Sequence, residues 1–125
     1  MKRGLLLFAH GARDPGWAQP FEAVVARVRE RAPDVAVRLA FLDFMAPTLV
    51  EAGASLAAAG CGHVDVVPLF LGAGGHVRRD IPRLVDTLRA AHPAVQWTER
   101  PAIGELDSVI DAMAAASLAW LQRDP

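Results

Sequence analysis

Cysteine is almost missing from this chain: Cys61 stands alone among 125 residues. That excludes an intrachain disulfide and a cysteine-built zinc or iron–sulfur site, and it fits a reducing compartment. Lysine is equally scarce, since Lys2 is the only one and arginine supplies the rest of the thirteen cations. Any basic patch is therefore made of planar forks suited to carboxylate or phosphate. Charge of one sign is missing too. Fourteen acids leave a net charge of −1, which offers no overall attraction to a phosphate backbone and sets nucleic-acid binding aside. Long apolar runs are absent as well. The apolar stretch at 5–9 is too short for a secretory core and no small-residue cleavage site follows it, and residues 112–121 fall well below the ~18 needed to span a membrane. A soluble, cytoplasmic protein without membrane association is the expectation.

What is there is globular. With 53% hydrophobic and 22% charged residues, the chain has the composition of a packed domain rather than of a disordered or collagenous one. Its length suits one domain over residues 1–125, without linker, repeat or low-complexity tract. Four short apolar runs, at 5–9, 35–42, 64–70 and 95–98, are each followed by a segment with helical spacing, the pattern of βαβ units around a parallel sheet. Phe21, Val24, Val25 and Val28 recur at helical intervals after the first run, and Val77, Ile81, Leu84, Val85 and Leu88 after the third. Pro20 and Pro82 lack an N–H and suit a first turn, so helices are expected to begin near 17–20 and 78–81, with loops at 11–17 and 71–77. Pro47 opens a helix running to Gly60, a suitable C-terminal cap, with Gly53 inside it at a cost of about 1 kcal/mol relative to Ala. A last helix near 105–121 presents Leu106, Val109, Ile110, Met113 and Leu121.

Right-handed crossovers make an α/β, flavodoxin-like lobe the economical packing: a four-stranded parallel sheet of order 2-1-3-4 with helices on both faces. The order reverses between the first and third strands. Ligands of such sheets bind beyond the carboxyl ends of the strands at the reversal, which selects two loops. One reads His10-Gly11-Ala12-Arg13-Asp14-Pro15-Gly16. The other reads Leu71-Gly72-Ala73-Gly74-Gly75-His76-Val77-Arg78-Arg79-Asp80. The topology brings His10 and His76 to one crevice, and two neutral imidazoles from facing loops make an open site for a late first-row divalent metal. Either histidine taken alone could simply hydrogen-bond loop backbone. Gly72, Gly74 and Gly75 could supply positive-φ positions or let a flat ligand approach the backbone. The Lys-Ser/Thr of a P-loop is missing, which weakens a nucleotide reading. Arg13, Arg78 and Arg79 with a helix N-terminus could hold an anion or stay solvated. Asp43 closes the second strand and could serve as metal ligand, proton acceptor or cap. His63 and His92 read as structural, and Trp17, Trp97 and Trp120 as packing area, with Trp17 also able to cover a flat ligand.

Three motifs, His10-Gly11-Ala12-Arg13-Asp14-Pro15, Phe41-Leu42-Asp43-Phe44-Met45-Ala46-Pro47 and the run from Val67 to Pro82, resemble the small sirohydrochlorin chelatases of the CbiX family, class II tetrapyrrole chelatases, over nearly the whole chain. The resemblance implies insertion of Co(II), or of Ni(II) or Fe(II), into sirohydrochlorin on the route to cobalamin, the metal being substrate and no cofactor being needed. It puts His10 and His76 on the metal-handling, catalytic histidines and Asp43 where a carboxylate, usually Glu, can join them. Arg13, Gly74, Gly75 and Arg78 would face the carboxylate-rich macrocycle. Gly72 stands where Ser is common, and Ile103-Gly104-Glu105 lacks a frequent His-Pro. Because full-length members have two lobes and this chain can supply one, the resemblance also implies a homodimer. A metal or tetrapyrrole carrier using the same histidines without turnover is the alternative.

Overall fold

A computed structural model describes residues 1–72 and 74–123; Ala73, Asp124, Pro125 and the side chain of His76 lie outside the described residues. Four strands, β1 (Lys2–Ala9), β2 (Ala36–Phe41), β3 (Cys61–Pro68) and β4 (Gln96–Glu99), form one sheet in the order β2-β1-β3-β4. Every neighbouring pair is parallel. The expected topology holds. Between and after the strands run α1 (Gln19–Arg31), α2 (Leu49–Ala58), α3 (Gly75–Ala91) and α4 (Asp107–Arg123), with short 3-10 turns at Pro15–Ala18 and Ile103–Glu105.

Alternation along the strands divides the core into two faces. Leu6 and Phe8 of β1, with Val64 and Val66 of β3, pack with Leu49 and Leu56 of α2 and Val85 and Leu88 of α3. Each such fully buried side chain contributes about 1.5–3 kcal/mol. On the opposite face Leu7 and Val37 pack with Val25 of α1. α1 thus covers one face, and α2 with α3 the other.

Local chemistry explains most element ends. Thr48 caps α2 by accepting from the Glu51 N–H at 3.2 Å, while Glu51 accepts from the Thr48 N–H at 2.9 Å. The backbone bond from Thr48, then its side-chain bond, hold the Glu51 carboxyl below its ordinary range. Gly60 follows α2 with φ +91°, the left-handed conformation that closes a helix most cheaply in glycine. Gly53 is needed for packing: a Cβ there would run into the buried side chain of Leu88 on α3.

Four expectations change. α3 begins at Gly75, so Pro82 lies inside it and the loop shortens. Proline removes the bond to the carbonyl of Arg78, an exposed residue, and burial of Ile81, Val85 and Leu88 carries the helix through. The expected first loop holds the 3-10 turn at Pro15–Ala18, where Asp14 Oδ1 accepts from the Gly16 N–H at 3.0 Å. His63 lies within β3 rather than ahead of it. α4 buries none of its residues; its main contact is with the 3-10 turn that precedes it, and Trp120 is 60% exposed rather than packed. No helix among the described residues is long and apolar enough to cross a membrane.

Helix propensity alone predicts that Gly53→Ala stabilises the chain by about 1 kcal/mol. The contact with Leu88 reverses that sign, and chemical denaturation is expected to read a net loss of about 1–3 kcal/mol.

Candidate metal and ligand site

At the reversal point β1 and β3 run side by side, Leu7 opposite Val67 and Phe8 opposite Pro68. The ladder continues as the Leu69 N–H donates to the Phe8 carbonyl at 2.7 Å. Period-two alternation then puts His10 on the face of Leu6 and Phe8, and Phe70 on the face of Val64 and Val66. The two rings meet there. His10 stacks on Phe70 with centroids 4.0 Å apart and planes 27° apart. Phe70 is 2% exposed and packs against Phe8 at 5.8 Å, whereas His10 is exposed. A buried ring thus fixes the plane of a solvent-facing imidazole. Among the described residues no protein group hydrogen-bonds the His10 ring, unlike His63, whose Nε2 lies 3.0 Å from Thr98 Oγ1.

β2 flanks His10 on the other side. The Leu42 N–H donates to the Ala9 carbonyl and the Asp43 N–H to the His10 carbonyl, both at 2.9 Å. Asp43 is therefore next to His10 along the backbone. Its exposed carboxylate accepts from the Phe44 N–H at 3.0 Å, so one oxygen is engaged locally. Gly11 makes the close approach possible. Its φ is +90°, and a Cβ there would collide with the Asp43 carbonyl oxygen.

His76 lies in the first turn of α3, on the segment that leaves β3. Its side chain lies outside the described residues, and among those no three His, Cys, Asp or Glu side chains group as metal ligands. Gly74 caps α3 with φ −67° and ψ 162°. None of Gly72, Gly74 and Gly75 takes positive φ, and among the described residues nothing stands within 4 Å of where a Cβ would sit. Open space beside the chain, rather than an unusual backbone conformation, is what these glycines provide. The arginines have separate partners. Arg78 pairs with Glu105 at 3.2 Å, Arg79 Nε donates to the Gly75 carbonyl at 3.2 Å, and the Arg13 guanidinium lies 4.9 Å from the centre of the Phe44 ring.

Phe70, Phe44 and Gly104 are absent from the sequence-derived site. Strand parity could have found Phe70, because β1 and β3 alternate in step. Phe44 combines φ 65° with 58% exposure, and no local pattern announces a left-handed phenylalanine. It borders a concavity of about 380 Å³ lined also by Ala12, Arg13, Glu22 and Met45. Gly104 lies so close to the Leu71 backbone that a Cβ would overlap it, and its N–H donates to the Phe70 carbonyl at 2.8 Å. That contact ties the segment after β4 to the ring beneath His10. His92, by contrast, ends α3 and accepts from Trp97 Nε1 at 3.3 Å, a structural role.

A non-glycine residue in the left-handed region costs roughly 1–2 kcal/mol. Phe44→Gly is accordingly expected to raise the unfolding midpoint in a thermal melt. Gly11→Ala is expected to lower stability by about 1–3 kcal/mol, because it adds strain and forces Asp43 away from His10.

A family model described as CbiX matches residues 4–118. The sirohydrochlorin cobaltochelatase of Methanosarcina acetivorans is 33% identical over 84 residues, covering 67% of this chain and 65% of the relative. That of Saccharolobus islandicus strain L.S.2.15 is 40% identical over 82 residues, covering 66% and 62%. The matched part thus spans a little under two thirds of these relatives. Among solved structures, the CbiX protein of Marinobacter aquaeolei VT8, ascribed to cobalamin (vitamin B12) biosynthesis, superposes with a TM-score of 0.85 at 29% identity, covering 98% of this chain and 99% of that one. SirB from Bacillus subtilis with Fe3+ gives a TM-score of 0.79 at 25% identity, covering 92% of this chain and 46% of that one. Sequence and fold agree, and the chain belongs to the CbiX family.

Proposed function

We propose that this protein inserts Co(II) into sirohydrochlorin in cobalamin biosynthesis, with His10 and His76 as the residues that hold the ion and assist deprotonation of the ring. The observation that carries the reading is the stack of His10 on Phe70 at the reversal of strand order, beside the segment that bears His76. The cobaltochelatase relatives support it.

Metallation exchanges two pyrrole N–H protons for one divalent ion, with no change in oxidation state. An imidazole that releases the ion to the ring regains a lone pair and can take a proton, so ligand and base are the same group at successive moments. Late first-row ions favour imidazole. Asp43, tethered to the His10 backbone, is the third donor in this reading, through the oxygen not held by Phe44. The metal is substrate, and no resident cofactor is required. Gly74 and Gly75 leave room for the macrocycle plane, while Arg13 and Arg78 meet its carboxylates, Arg78 exchanging Glu105 for the ligand. A cytoplasmic setting fits the buried free thiol of Cys61. Fe(II) insertion into the same ring is the second reading, supported by the likeness to SirB with Fe3+.

We propose further that the working unit is a homodimer. A concavity of about 380 Å³ lies at the small end of the range for ordinary small ligands, below what a four-ring macrocycle occupies. The chain also covers 46% of SirB, so a second copy would supply the missing wall.

His10→Ala and His76→Ala are each expected to slow cobalt insertion at least about 100-fold while the chain stays folded, His10→Ala losing about 0.5–1.5 kcal/mol with its stack on Phe70. The readout is the absorbance change on mixing protein, sirohydrochlorin and Co(II), against the spontaneous rate. Full turnover in both variants contradicts the assignment. A parent protein that binds both partners without exceeding the spontaneous rate is a carrier instead.

A further inference from the structure

We propose that Phe44 is a recognition residue: its outward ring and the Arg13 guanidinium laid against it form a shelf that takes one pyrrole ring of the macrocycle together with its carboxylate arm. This rests on the chelatase reading above and names the residues that select a flat, acid-bearing substrate. The first observation is backbone strain that packing does not offset. Phe44 sits at φ 65° and is 58% exposed. Its neighbours Leu42 and Met45 pack against the core clusters, whereas Phe44 turns outward. The turn closes without help from the phenyl ring: the Phe44 N–H donates to Asp43 Oδ1 at 3.0 Å, and the Met45 N–H to the Asp43 carbonyl at 2.8 Å. Glycine would make both bonds without the steric penalty. A strained, exposed aromatic side chain that the fold does not use points to a ligand that does use it.

The second observation is the partner of that ring. The Arg13 guanidinium lies 4.9 Å from the ring centre, and among the described residues it pairs with no carboxylate. Glu22, which lines the same concavity, is not within ion-pair distance of it. A guanidinium stacked on an aromatic face keeps its N–H groups pointing outward in its own plane. Stacking therefore fixes the fork while leaving its donors open to a carboxylate. A small carboxylate would meet the fork alone, and an uncharged flat molecule the phenyl ring alone. A macrocycle with acidic arms meets both. The concavity of about 380 Å³ bordered by Phe44 and Arg13 has room for one ring and its arm.

The third observation is position. Phe44 directly follows Asp43, whose N–H donates to the His10 carbonyl at 2.9 Å, and Arg13 follows His10 by three residues. Shelf and imidazole thus stand on the loops that leave two adjacent strands, β2 and β1. Ala18 and Glu22 set the shelf toward α1, while His10 faces the α2 and α3 side. Neighbouring strands are about 5 Å apart, a step that a four-ring macrocycle spans. A ring gripped at its rim by the shelf extends across the strand ends toward His10.

The test is equilibrium binding of metal-free sirohydrochlorin to the full chain, read from the fluorescence of the ligand, with steady-state cobalt insertion measured beside it. Phe44→Gly is expected to weaken binding about 10-fold and to raise KM by a similar factor, with kcat changed less than about threefold, as loss of uniform binding requires. The same variant is expected to melt above the parent, so a general loss of structure cannot account for the weaker binding. Phe44→Tyr, which keeps the aromatic face, is expected to bind within about threefold of the parent. Phe44→Leu, which keeps apolar bulk and loses the face, is expected to bind as weakly as Phe44→Gly. Unchanged affinity in Phe44→Gly, parent-like affinity in Phe44→Leu, or a Phe44→Tyr chain as weak as Phe44→Leu would each overturn the proposal. Cobalt insertion by Phe44→Gly at the parent KM overturns the shelf and leaves the chelatase reading intact. Ring binding that depends on Phe44, in a parent that never exceeds the spontaneous insertion rate, does the reverse.

Discussion

The site depends on one adjacency, that of β1 and β3. Because these strands pair in parallel and in step, the row Leu6, Phe8, His10 runs beside the row Val64, Val66, Phe70, and the imidazole comes to rest on a buried aromatic ring. A flexible histidine at a strand end would spend most of its time in unproductive orientations. Stacking on Phe70 removes that freedom at the protein's expense before any ligand arrives, the sense in which a site is preorganised. Asp43 is held to the same point by the backbone ladder from β2, and the fit requires glycine at position 11.

Much of this was legible in the residues. Four apolar runs alternating with helical spacing led to a 2-1-3-4 sheet because parallel crossovers have one hand and short connections. Those rules also selected the two loops. Gly60 and the end of α2 were legible from local chemistry. Pro82 was misleading, because burial along Ile81, Val85 and Leu88 outweighs one lost backbone bond, and that balance is a property of packing. Phe44 could not have been read at all, since a left-handed phenylalanine is imposed by the surrounding loop rather than by its neighbours in sequence. The arginines were legible as residues and not as a group: Arg78 finds Glu105 and Arg13 finds Phe44, partners set by tertiary structure.

The last helix was the largest gap. Its apolar stripe reads like that of any core-facing helix, and spacing cannot reveal which surface the stripe meets. The structure shows where α4 starts, beside Phe70 and Leu71, and that its stripe is exposed.

The central claim is that His10 and His76 converge on one ion. Nuclear magnetic resonance of the protein with 15N-labelled histidine, titrated with Co(II), tests it most directly, because a paramagnetic ion broadens the ring signals of its own ligands first. Loss of the His10 and His76 signals together, at the same cobalt concentration and ahead of His63 and His92, is the predicted result. Broadening of one without the other, or of neither before the structural pair, would contradict the account.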